Sequence, residues 1–77
     1  MSNKYKTTRS EWDKDRIQAL RQHLGLTQQA MAAQLGIRQQ TVSEWETGMY
    51  QPRGTSLKLL SLVAEKASFE YEASKND

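Results

Sequence analysis

The richest source of chemistry in this sequence is a run of five polar side chains after Ile37: Arg38, Gln39, Gln40, Ser43 and Glu44. On a helix they fall away from Val42 and Trp45, which lie three apart and can face inward together. What the run offers is directional hydrogen bonding rather than nucleophilic attack. A glutamine amide is its most selective member, because it donates and accepts at once, as the N7 and N6 edge of adenine requires. One such paired contact discriminates against a wrong base by about 1 to 3 kcal/mol. Exposed glutamines are ordinary on any protein, so the run gains meaning only from the elements that hold it.

Catalysis has little material. The chain has one histidine, no cysteine and no glycine-rich phosphate loop, so most ways of assembling an active site are missing and no enzyme is expected. No cofactor or metal is expected either, since His23 has no second histidine or thiolate to complete a ligand set. Near the end of a helical pattern, His23 instead suits the negative pole as a protonated imidazole. Without disulfides, the core must come from packed helices.

Those helices are legible on both sides of the polar run. Ser10 is placed to cap a first helix with Asp13 returning the bond, and Ile17, Leu20 and Leu24 recur at helical spacing. The pattern predicts a helix over 11–23, stopped by Gly25, with Leu26 tucked beside the turn. Thr27 caps a second helix over 28–35, with Met31, Ala32 and Leu35 on one face and Gln28, Gln29 and Gln34 outside. Gly36 then turns the chain into the segment that starts at Ile37. Gly48, Pro52 and Gly54 make 47–55 a loop, after which Thr55 or Ser56 can cap a last helix from 57 to about 66. That helix is apolar at Leu57, Leu59, Leu60, Leu62, Val63 and Ala64, wider than one stripe. The predicted fold class is all-α, a compact bundle of four to five helices.

At 77 residues there is room for one domain. It is expected over 10–67, between a flexible basic arm at 1–9 and an acidic, aromatic tail at 68–77. Net charge is only +2, yet Lys4, Lys6 and Arg9 give residues 1–9 a charge of +3 while 65–77 carry −2. The basic start has no apolar run behind it and nothing approaches a membrane span, so a cytoplasmic protein is expected. Arg53, in the loop, can meet phosphates, as can the arm, for which a solvated charge run is the equal alternative. Thr27 and Gln28 open the second helix, where free N–H groups and the positive dipole end make a natural phosphate site. Glu44 is the discordant member. Near phosphates a carboxylate is repelled unless it accepts from cytosine N4 or pairs with Arg38, and both escapes are open.

From Leu24 to Gly48 a capped helix, a turn at Gly36 and a second helix with a polar outer face follow one another. This stretch resembles the Cro and phage-repressor (XRE-type) helix-turn-helix family. The likeness is carried by Leu26-Thr27-Gln28, Met31-Ala32, Leu35-Gly36, and Val42 with Trp45-Glu46-x-Gly48, and it extends over roughly 16–64. It implies a lambda-repressor-like bundle that puts its second motif helix in the major groove. It also implies base contacts at Gln39, Gln40 and Glu44, a backbone contact at Gln28, and a structural ion pair between Arg21 and Glu46. The stretch from Gly48 to Leu60 is similar to DNA-binding antitoxins of the same superfamily.

The leading functional expectation is a transcriptional repressor that binds double-stranded DNA as a homodimer, Gln39 being the first candidate for a base contact. Leu59 and Leu62, with Phe69 and Tyr71, are the candidate dimer contact, the alternative being that all belong to one core. Two other readings stand beside it: an antitoxin whose tail from Glu65 to Glu72 neutralises a basic protein toxin, and a helical adaptor that does not bind DNA.

Overall fold

The computed structural model describes residues 12–70 and folds them into four helices. These are α1 (Lys14–Leu24), α2 (Gln28–Leu35), α3 (Gln39–Thr47) and α4 (Thr55–Lys66). The segment 1–9, Ser10 and Tyr71 lie outside the described residues. No helix among those described is long and apolar enough to cross a membrane.

The start of α1 corrects the expected one. Asp13 is the cap, its carboxylate accepting from the Arg16 amide at 2.9 Å, and the helix begins at Lys14 rather than at residue 11. Trp12 supplies the physical reason. With Asp13 at the cap, Trp12 falls just before the helix and Ile17 at its fourth position, the two places that a hydrophobic staple joins. Both are buried in one cluster, Trp12 at 2% exposure. A helix running from residue 11 would carry Trp12 roughly 140° around from Ile17, off the buried stripe.

The later starts divide. Thr27 caps α2 as expected, its hydroxyl accepting from the Ala30 amide at 3.0 Å. For α4 neither Thr55 nor Ser56 is the cap: Gly54 is, and the helix begins at Thr55, ahead of the expected 57. The first turn closes on backbone, with the Ser56 and Leu57 amides donating to the carbonyls of Arg53 and Gly54 at 3.0 Å each. No side-chain cap is used.

All four helices stop on the same device. The amides of Leu26, Ile37, Met49 and Phe69 reach back to the carbonyls of Arg21, Ala32, Glu44 and Ala64 at 2.8 to 3.1 Å, closing the loop with one left-handed residue between. At the tight turn after α2 that residue is Gly36, with φ of 74°. After α4 it is Ser68, with φ of 54°, where a side chain costs roughly 1 kcal/mol. Leu26, Ile37 and Phe69 then fold against the core, whereas Met49 stays 66% exposed.

The core takes Ile17 and Leu20 from α1, Met31, Ala32 and Leu35 from α2, Val42 and Trp45 from α3, and Leu60 and Ala64 from α4. Helix α3 packs on α2 and α1, and α4 on α2. The wide apolar face of α4 is largely absorbed: Leu57, Leu59 and Val63 are partly buried against the core, and Leu62 is left 54% exposed. Trp12 ties the front of α1 to α4, its indole donating to Ser61 Oγ at 3.2 Å, and stacks on Phe69 with centroids 6.5 Å apart. His23 ends α1 but serves α4, its Nε2 lying 3.0 Å from the Ala67 carbonyl and its ring 5.3 Å from Phe69. Packing therefore runs from Trp12 to Phe69.

Candidate nucleic-acid interface

Helix α3 is fixed from behind. Val42 is fully buried and Trp45 keeps 4% of its surface, so the opposite side must face out. Its far end is held by one carboxylate. Arg21 donates to Glu46 through Nε at 2.7 Å and Nη2 at 3.0 Å, and through Nη1 to the Leu26 carbonyl at 3.1 Å. Gln28 Nε2 adds a bond to Glu46 Oε1 at 3.1 Å. Thus α1, the turn behind it, α2 and α3 meet at a single charge.

The environment strengthens that junction. The side chains keep only 17% (Arg21) and 4% (Glu46) of their surface, and a two-pronged guanidinium–carboxylate pair is among the stronger hydrogen-bonded contacts. The bond to Glu46, aided by its charge and opposed by burial, raises the Arg21 pKa above its ordinary value. Arg21 therefore stays charged at any working pH.

On the outward side, Arg38, Gln39 and Gln40 are exposed and Ser43 and Glu44 half-buried. Arg38 is the cap residue of α3, with no side-chain capping bond. Of the two arrangements open to Glu44, pairing with Arg38 does not occur among the described residues. Glu44 instead accepts from Gln40 Nε2 at 3.2 Å. Spacing explains the choice of partner: residues four apart lie one turn above each other on a helix, and residues six apart do not.

The remaining candidates are scattered around this helix. Thr27 is exposed with its hydroxyl engaged in the α2 cap, and Gln28 is half-buried against Glu46. Arg53 is exposed in the loop, and it pairs with no acidic side chain among the described residues. No described contact joins Arg53 to the α3 side chains. Phe69 is packed between Trp12 and His23 within the chain, while Leu62, with Leu57, Lys58, Ser61 and Glu65, lines a shallow apolar depression on α4.

Both glutamine–glutamate contacts of this region lay outside the sequence expectations. The four-residue spacing of Gln40 and Glu44 carried a readable signal, whereas nothing local joins Gln28 to Glu46 across 18 residues. No group of acidic or histidine side chains that could hold a metal occurs among the described residues.

No curated protein and no solved structure matches the chain significantly. The sequence signature described as helix-turn-helix does match, over residues 17–66, well over half of the 77. It begins inside α1 and ends with α4, so it spans the whole junction around Glu46 and the outward face of α3. The chain belongs to the XRE-type, Cro and repressor helix-turn-helix family, a family of DNA-binding domains.

Proposed function

We propose that the protein is a sequence-specific transcriptional repressor that reads the major groove with α3. The observation that carries the reading is the two-sided character of this helix. Its inner face and far end are locked by Val42, Trp45 and the Arg21–Glu46–Gln28 junction, while Arg38, Gln39 and Gln40 are exposed. A helix held this way presents side chains to a groove about 12 Å wide. Gln39, next to the N-terminal cap of α3, is the first base contact, with Gln40, Ser43 and Glu44 following along the groove.

Phosphate contacts complete the reading. Backbone amides at the start of α2, beside Thr27 and Gln28, suit an anion. Gln28 gives one N–H to Glu46 and keeps another for a phosphate oxygen. Arg53, exposed and paired with no carboxylate among the described residues, is the cationic contact. One such domain binds weakly alone, so a homodimer spanning two half-sites about 34 Å apart follows, with the exposed Leu62 in the second copy's contact. The function belongs in the cytoplasm, on the nucleoid.

Titrating the protein with duplex at several salt concentrations tests the reading. Log affinity should fall with log salt at a slope near −0.9 per phosphate contacted. Arg53→Ala should weaken binding to all sequences alike and flatten the slope by about 1. Absence of binding at low salt would overturn the reading and leave a helical adaptor. A basic protein partner co-purifying through the acidic tail would shift it to the antitoxin class.

A further inference from the structure

Glu44 brings a negative charge to a surface that should meet phosphates, and it shares that charge with one neighbouring amide. Gln40 Nε2 donates to Glu44 Oε2 at 3.2 Å, one helical turn away, on the outward side of α3. A carboxamide has two N–H donors and one acceptor oxygen, and a carboxylate offers about four acceptor positions. One bond between them therefore leaves an N–H of Gln40 and most of the acceptor capacity of Glu44 available.

We propose that Gln40 and Glu44 act as one reading unit that selects a C·G base pair. Glu44 accepts from cytosine N4, and Gln40 gives its remaining N–H to O6 or N7 of the paired guanine. The assignment rests on the major-groove function above and adds the base that the second turn of α3 selects.

The four base pairs present different edges to such a unit. Cytosine shows an amino donor at N4, and its guanine partner shows the acceptors O6 and N7. That order of donor and acceptor is the complement of a carboxylate beside an N–H. Reversing the pair puts guanine acceptors against Glu44, and thymine O4 opposes it in the same way. Adenine has a donor at N6, but its N7 lone pair lies on the same edge and faces the carboxylate. A lone glutamine favours adenine; the charge one turn away shifts the preference to cytosine.

Selection of bound duplexes from a random pool, run with the natural chain, Glu44→Gln and Gln40→Ala, tests the unit. The natural chain should recover a motif with a fixed C·G pair in each half-site, whose replacement by T·A weakens binding about 5- to 150-fold. Glu44→Gln should lose the cytosine at that position alone and keep the rest of the motif. Gln40→Ala should retain the cytosine with reduced discrimination. Circular dichroism melting checks that both variants are folded, Gln40 being exposed and Glu44 half-buried. A Glu44→Gln motif identical to the natural one would overturn the unit while leaving DNA reading intact. Failure of the natural chain to recover any motif would overturn the DNA-reading function, and the unit with it.

Discussion

Glu44 and Glu46 stand two residues apart on α3 and each accepts from a glutamine amide, at 3.2 Å from Gln40 and 3.1 Å from Gln28. Two residues turn a helix by roughly 200°, so the carboxylates point in opposing directions. Glu46 meets a guanidinium and is 96% removed from solvent at its side chain, by the 4% it keeps. Glu44 is half-buried and meets a neighbour on its own helix. The contrast teaches that near-identical hydrogen bonds acquire different roles through what else surrounds them. Removal of water and contact with several elements make one carboxylate structural; the other, bound only by a side chain of its own helix, keeps part of its surface open to water.

The largest expected effect tests the buried side of this contrast. Glu46→Ala leaves the Arg21 guanidinium partly buried without its partner, and should cost about 3 kcal/mol in urea unfolding, at the lower end for buried pairs because Arg21 keeps some exposure. A loss near zero would erase the distinction between the two glutamates. Next comes the open face: Gln39→Ala should reduce preference for a recovered operator over random duplex roughly tenfold, read by competition binding. The unfolding midpoint should hardly move. Gln28→Ala removes one bond to Glu46 while Arg21 remains, and about 1 kcal/mol of unfolding free energy should go with it. The smallest effect belongs to Glu44→Ala, which should alter stability by under about 0.5 kcal/mol, as surface pairs one turn apart do. A substantial loss there would show that Glu44 also serves the fold.

The elements nearest the interface were the most legible in the sequence. Thr27, Gly36, Val42 and Trp45 sit where their residue types direct, because caps, left-handed turns and helical spacing are local rules. Trp12 escaped them: it precedes the helix it anchors, so no periodicity marks it, and its burial moved the cap from Ser10 to Asp13. Pro52 is buried as well, though its sequence role read only as a breaker. At the start of α4, two good capping residues concealed a glycine whose backbone closes the turn instead. The ion pair of Arg21 and Glu46, 25 residues apart, followed from family resemblance, since nothing in local spacing could place it. The third partner, Gln28, became visible only when the packing brought α2 beside both.

The junction at Glu46 also bears on the thermodynamics of association. A helix tied through one carboxylate to two neighbours already has its shape before any duplex is added. Coupled folding shows itself as a heat-capacity change larger than the contact surface accounts for. Here α3 arrives preformed, so calorimetry should find the smaller, surface-limited value, and the rate of encounter should depend on collision and orientation rather than on a wait for ordering.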